Sequence, residues 1–291
     1  MNILLPYKER NQFMSNYNSI EKIISEEILR TNEDNLIARK ICNTVYSGDI
    51  KKKGDSVVLV GLSEPTVYNY TGTVSYEDVS DASMILNIDQ DKAFSFKIKD
   101  IEELRSSIGL KESQARRASY NLKLEVDKYV LGLYAAAGQT YTDTTVTPSN
   151  VLKVLGEIKQ KLEEVNVPDG RTFIVIPPFI KTKLMLAGIK FQINNGVNGT
   201  GTIGFTDELG YDVFVSNQLA KVVDGATTKY MVLAGSYSSI AYAEQVLETQ
   251  ILDKLENSFD KAVRGRLVFG AKVVKPNELV AAGLVDGTNE I

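Results

Sequence analysis

Histidine is absent from the 291 residues, and cysteine occurs once, as Cys42. Without an imidazole there is no Ser-His-Asp or Cys-His nucleophile, no His-ligated zinc, and no side chain whose ordinary pKa sits near neutrality to act as general base. Carboxylate or lysine chemistry is what survives that exclusion. A single thiol rules out an intrachain disulfide, so folding requires no oxidising compartment. Cys42 lies in ARKICNTVY, on the apolar side of a helix-like segment, the setting of a small buried hydrophobe rather than a nucleophile. A cationic surplus is missing too: 33 Lys and Arg face 37 Asp and Glu, a net charge of −4. Binding driven by counterion release from many phosphates needs clustered positive charge. The one basic run, Lys51, Lys52 and Lys53, reads as a solvated turn. No stretch approaches the roughly 20 apolar residues of a membrane span, and the N-terminus, MNILLPYKERNQF, turns charged too early for a signal peptide. A soluble globular protein that folds in the cytoplasm is expected, and its length is enough for a full core in one or two domains.

What is present is organised around Lys111 to Gly138, KESQARRASYNLKLEVDKYVLGLYAAAG, which reads as one helix of roughly 28 residues and about 40 Å. Ala115, Ala118, Leu122, Val126, Tyr129, Val130, Leu133 and Ala137 fall on one face at the spacing of a buried stripe. Tyr120, Leu124, Leu131 and Tyr134 make a narrower apolar stripe on the far side, with Arg116, Arg117, Lys123, Asp127 and Lys128 along the wetted edges. A helix apolar on two sides has partners on both, a sheet on one and something else, a second copy included, on the other.

Ahead of it, Ile20, Ile23, Ile24, Ile28 and Leu29, then Leu36, Ile37 and Ile41, recur at helical spacing, as a first core helix or as an arm reaching elsewhere. From Asp49 the period changes to two: Ser56 to Leu62 is strand-like, and Pro65 follows, out of place in a central strand. A polar crest leads to a second strand region, MILNIDQDKAFSFKIKD. Two strands joined by about twenty polar residues form an extended antiparallel flap, marginal in isolation. Its outgoing limb starts with three lysines, whereas Glu77, Asp78, Asp81, Asp89 and Asp91 lie on the crest and return. Beyond the long helix, QTYTDTTV reads as a connection, and Thr147-Pro148 as the cap and first residue of a helix carrying Val151, Leu155, Ile158 and Leu162. A small α/β unit follows: strands at Arg171 to Ile176, Asp212 to Val215 and Tyr230 to Leu233, and a helix at Phe179 to Ala187.

Gly199 to Gly204 matches the GxGxxG pattern, but no strand precedes it and no helix of useful length follows, so a flexible glycine loop is the better reading. Asp89 with Asp91, and Glu163 with Glu164, are paired carboxylates that read as solvated charge rather than as ligands.

Taken in order, GDIKKKGDSVVLVGLSEPTVYNY, MILNIDQDKAFSFKIKDI, LEVDKYVLGLYAAAG, RTFIVIPPFIKTKL and IAYAEQVLETQILDKLENSFDKAVRGRLVFGAKVVKPNELV resemble the major capsid proteins of tailed phages, with the Hong Kong 97-type fold. The resemblance runs from about residue 15 to residue 285. It implies an α+β fold: residues 1–43 an N-terminal arm, 44–110 an extended β-hairpin loop and peripheral strands, 111–140 the spine helix of a peripheral domain, 141–240 an axial α/β domain, and 241–291 the peripheral return strands and C-terminus. It implies a structural protein without catalytic residue, cofactor or metal. Such a protein self-assembles into hexamers and pentamers of an icosahedral shell around phage double-stranded DNA, in the host bacterial cytoplasm. Contacts between copies are expected at Lys51, Lys52, Lys53, Pro65, Tyr68, Tyr70, Glu77, Asp78 and Asp81 of the loop and at Arg116 and Arg117 of the spine. A separate scaffolding protein, a portal and decoration proteins are the implied partners; DNA is touched weakly and without sequence preference, membranes not at all. Some members crosslink a loop lysine to a neighbour's asparagine, but no acceptor motif stands out here and no crosslink is expected. The alternatives are an encapsulin-like cargo compartment of the same fold, a nucleotide-binding enzyme using the glycine loop, and a tail-tube protein.

Overall fold

The computed structural model describes residues 37–45, 54–59, 69, 83–98, 109–167, 171–187, 192–193, 203–205, 210–225, 227–252 and 261–288. Chain order runs through a short helix α1 (Ile37–Ile41), strands β1 (Ser56–Leu59), β2 (Met84–Asn87) and β3 (Gln90–Ile98), and the long helix α2 (Gly109–Leu131). Then come β4 (Gln139–Val146), α3 (Val151–Glu164), β5 (Thr172–Ile176), α4 (Pro178–Leu186), β6 (Gln192–Ile193), β7 (Ile203–Phe205) and β8 (Tyr211–Val215). Five strands close the chain: β9 (Lys221–Asp224), β10 (Thr227–Ser236), β11 (Ile240–Leu252), β12 (Lys261–Val273) and β13 (Leu279–Asp286).

They form three sheets. The largest has the order β4-β13-β10-β5-β8-β7-β6, with β9 paired to β10. All five residues of β5, TFIVI, are buried, as a strand covered on both faces requires. α3 packs over β4 and β13 and against α4. The second sheet, β11-β12-β3, is antiparallel and built on two 13-residue strands. The third is a two-stranded ribbon of β1 and β2. Alternation along β12 sends Leu267 and Phe269 toward α2 and the main core, and Val268 to the other side, where it meets Val57, Leu59, Leu86 and Ile88 at the foot of the ribbon. The three-stranded sheet is therefore a middle layer, with the long helix on one face and the ribbon on the other.

Several local expectations change. The α-helix stops at Leu131 and continues as a 3₁₀ turn, Gly132–Ala136, before Ala137 turns extended. Gly132 weakens the helix there, and the Gly138 N–H must reach the Pro276 carbonyl at 2.8 Å to start β4. In the second stripe Leu131 is buried and Tyr134 packs on the core, but Tyr120 stands half exposed. Asp127, placed by its spacing on a wetted edge, is 2% exposed. QTYTDTTV is a strand, parallel to β13; threonine and tyrosine suit a pleated surface, and a polar strand suits a sheet edge. α3 begins at Val151 with Asn150 as its N-cap residue. Thr147 instead closes a turn, its carbonyl accepting from the Asn150 and Val151 N–H groups. The flap's return limb ends at Asn87, and β3 belongs to another sheet. The corner is set by Gly54 and Ile88, whose backbones bond at 2.9 Å. The crest, residues 60–68 and 70–82, lies outside the described residues. β13 lies in the large sheet, between β4 and β10, rather than beside β11 and β12.

Candidate assembly surface

The surfaces that matter are those this middle layer leaves uncovered. On the ribbon, Val57, Leu59 and Leu86 point inward and are buried, while Val58 and Ile85, directly opposite each other in the ladder, are 55% and 50% exposed. Cross-strand neighbours at such a pair lie about 5 Å apart. They make a small apolar patch on the face turned away from the body. Lys272 fixes the ribbon from below, its Nζ donating to the Ile85 carbonyl at 2.9 Å. Gly270 lets the two layers approach: a Cβ there would lie 2.4 Å from the Asn87 carbonyl oxygen.

The ribbon covers one end of the sheet only. Farther along the same face the register sets Lys97 opposite Ala262, Ser95 opposite Arg264 and Ala93 opposite Arg266, and paired residues project to the same side. Lys97, Arg264 and Arg266 are exposed; Asp91 on the same face balances Arg266, so the positive surplus of this strip lies at Lys97 and Arg264. Arg266 grips Asp91 through two bonds of 2.8 and 2.6 Å, the bidentate geometry that holds guanidinium and carboxylate in register. Arg264 donates to Gln250 at 2.9 Å.

The opposite face looks at α2 across a groove of ≈ 530 Å³ lined by Phe94, Phe96, Arg117, Ala118 and Leu122. The rings of Phe94 and Phe96 stack at 6.4 Å. Lys92 closes the end of the groove by pairing with Glu125 at 3.3 Å. Next to it Tyr129 packs edge-on against Phe269 at 5.5 Å and donates to Asp89 at 3.1 Å; burial first, then the Asp89 charge, push its hydroxyl up to about 12. The Asp89 and Asp91 carboxylates, expected as solvated charge, are thus structural acceptors. Glu163 and Glu164 are exposed, and Glu164 takes a hydrogen bond from Gln160 at 2.9 Å. No carboxylate cluster with metal spacing occurs among the described residues. Gly204 sits inside β7, opposite Asp212 of β8, so the last glycine of the GxGxxG match opens no helix and cannot present a dipole to a pyrophosphate. The rest of that loop lies outside the described residues.

Of the contact residues expected from sequence, Arg117 lies exposed at the groove and Arg116 in the same helix. Lys51, Lys52, Lys53, Pro65, Tyr68, Tyr70, Glu77, Asp78 and Asp81 lie outside the described residues. Sequence reasoning passed over Val58, Ile85, Lys97 and Arg264. The signal was there: Val57-Val58 and Ile85-Leu86 put apolar residues on both faces of a strand, which a one-sided ribbon does not need. Further exposed apolar side chains stand at Val222 and Val223 of β9 and at Met185 of α4, Val223 being more exposed than either member of the ribbon pair. No helix among the described residues is long and apolar enough to cross a membrane.

A family model described as phage capsid protein matches residues 85–282. Among solved structures, a chain of Mycobacterium phage Che8 is 23% identical, with 85% of this chain and 91% of that chain covered and a TM-score of 0.65. The capsid of Ralstonia phage GP4 is 11% identical over 89% of this chain and 93% of that chain, with a TM-score of 0.61. A virus-like particle from Pyrococcus furiosus is 12% identical, covering 91% and 98%, with a TM-score of 0.55. No curated protein matches the chain by sequence.

Proposed function

The chain belongs to the phage capsid protein family, shell-forming structural proteins of the virion, and on that premise we propose how its copies meet. They associate as hexamers and pentamers that close into an icosahedral shell around double-stranded DNA, each flap lying on a neighbouring copy. The observation that carries this is the exposed Val58–Ile85 pair. Completing the burial of two half-exposed aliphatic side chains is worth about 1 kcal/mol each, weak in one contact and sufficient when repeated around a closed ring. Lys97 and Arg264 on the exposed strip supply the complement for the acidic crest, Glu77, Asp78 and Asp81, of the neighbour's flap. The same contact is proposed to take in Lys51 to Lys53, Pro65, Tyr68 and Tyr70 of the flap and Arg116 and Arg117 of the long helix. The protein is not an enzyme. A net charge of −4 leaves packaged DNA loosely held, since tight binding needs clustered cations. A separate scaffold, a portal and decoration proteins complete the particle, which is assembled in the bacterial cytoplasm. The cargo-compartment alternative has likeness of fold alone behind it.

The test is a charge exchange on the full chain. Lys97→Glu with Arg264→Glu abolishes capsomers, tubes and shells in negative-stain microscopy, and Asp78→Lys with Asp81→Lys restores them in the same chain. Unchanged assembly in the first variant, or a wild-type chain that stays monomeric at high concentration with and without added scaffold, overturns the reading.

A further inference from the structure

A strand at the rim of a sheet offers unpaired N–H and C=O groups to any other chain, and proteins blunt such edges with bulges, covers or shortness. Among the described residues most edges are blunted in these ways. β4 is bulged, Thr142 and Asp143 facing Gly283 alone, and the Thr144 hydroxyl donates back to the Thr142 carbonyl at 2.9 Å. β11 carries an extra residue, Leu247, and Asn43 covers its start, donating to the Ile240 carbonyl at 2.8 Å and accepting the Tyr242 N–H at 2.9 Å. β1, β2, β6 and β9 are no longer than four residues. β3 is different. It runs nine residues without a proline, in unbroken register with β12, and among the described residues no strand lies on its other side.

The ladder tells which groups of β3 point outward. In an antiparallel pair a residue turns its N–H and C=O to one side, and its two neighbours turn theirs to the other. The Ile240 carbonyl and the Tyr242 N–H point to Asn43, away from β12, whereas the Ser239 carbonyl accepts from Val274 at 2.8 Å. Carried across β12 by its register, that phase turns Gln90, Lys92, Phe94 and Phe96 toward β12. It leaves the N–H and C=O groups of Ala93, Ser95 and Lys97 on the open side. All three residues are exposed, and the first two are small enough for another backbone to close in.

We propose that β3 accepts an extended strand from a second copy of the chain, so that the three-stranded sheet of one copy continues into the next. Main-chain bonds supply the affinity of such an added strand, and alternate side chains its specificity. On the groove face, half-buried Phe94 and Phe96 receive its apolar residues. On the other face, Lys97 and Arg264 turn away a cationic strand and favour an acidic one. A second copy suits that preference, since the chain carries 37 acidic residues against 33 basic ones. The pairing presupposes the shell-forming reading but not the charge contact with the crest.

Hydrogen–deuterium exchange on the full chain, read at residue resolution by electron-transfer fragmentation, tests the pairing. In the unassembled chain the amides of Lys92, Phe94 and Phe96 should be protected and those of Ala93, Ser95 and Lys97 open. In shells the second set should slow by about tenfold or more, as amides that gain an acceptor do. Ser95→Pro deletes one outward N–H and no ladder bond, which only an edge position allows, and should cut shell yield in negative-stain microscopy by about tenfold. Ser95→Ala keeps the N–H and should assemble like wild type. Should the proline variant fail to fold, the wild-type exchange pattern decides alone. Shells whose Ala93, Ser95 and Lys97 amides exchange as in the free chain, or a folded Ser95→Pro protein that assembles like wild type, overturn the pairing and leave the shell-forming reading standing. Protection that arises only when a scaffolding protein is added overturns the second copy as occupant. A wild-type chain that never assembles overturns both.

Discussion

Gly270→Ala should separate the ribbon from the sheet beneath it. A Cβ at this position lies 2.4 Å from the Asn87 carbonyl oxygen and 3.1 Å from Ile88 Cα. Both are backbone atoms, and the corner that holds them is closed by Ile88 N–H to Asp55 at 3.0 Å and Gly54 N–H to Ile88 at 2.9 Å, so neither can rotate aside. Restoring van der Waals contact lifts the ribbon by about 1 Å, and overpacking of this kind costs about 1–3 kcal/mol. Part of that is the loosening of Val57, Leu59 and Leu86 from Ala241, Ala243 and Val268. For a chain of this size each kcal/mol moves the midpoint by roughly 2–4 °C, so calorimetry of the unassembled protein should show a drop on the order of 5 °C. Shell yield should fall further, because the outer face of the ribbon is re-aimed. Gly156→Ala is the internal control: in α3, with no atom within 4 Å of an added Cβ, it should stabilise by about 0.5–1 kcal/mol through helix propensity. A Gly270→Ala protein that melts and assembles like wild type would refute the layer packing.

Val58→Asp should leave the melting of the unassembled chain within about 0.5 kcal/mol of wild type, as an exposed substitution does, yet cut the yield of shells in microscopy at least tenfold; intact assembly would remove the ribbon face from the contact. Lys183 is fully buried on α4 and holds the end of β13 through Asp286 Oδ1 at 2.9 Å and the Gly287 carbonyl at 2.8 Å. Lys183→Met should cost about 1–3 kcal/mol for the carbonyl left unpaired and open the C-terminal residues to carboxypeptidase, with no faster digestion the contrary result.

What the sequence made legible follows from how local each cause is. β5 announces itself because four consecutive apolar residues, Phe173 to Ile176, closed by Pro177-Pro178 satisfy a doubly covered strand, whatever lies outside. The long helix is legible from its 3.6-residue stripe, but its end is not, since Leu133 and Ala137 continue the stripe after the chain has become a 3₁₀ turn. Asp127 sits where a wetted edge is equally consistent, and its burial depends on Ala38, 89 residues earlier. β2 and β3 read as one strand because no residue between them breaks the pattern; the break is imposed by two different partners, β1 and β12. β4 hid behind its threonines, polar enough for a loop and β-branched enough for an edge. The glycine motif could be set aside from sequence because the residues after Gly204 are too few before Gly210 for a helix, and Gly204 lies in a strand.

The uneven cover of the middle layer explains how a free copy can keep this sheet face wetted and still be ready to assemble. β12 runs 13 residues, about 44 Å, whereas the ribbon ladder is four residues long and meets the sheet near Gly270. Were the remaining stretch apolar, the free chain would carry a hydrophobic sheet face and aggregate through it. It carries Ser95, Lys97, Arg264 and Arg266 instead, so water covers it until a partner arrives. On the proposed contact the two kinds of surface divide the work. Charge on the strip steers and orients the incoming crest, a long-range effect that salt screens, while the Val58–Ile85 face, short-ranged and indifferent to salt, retains a copy once it is seated. Encounters are then easily reversed and closed rings are not, which lets misplaced copies leave before the shell commits.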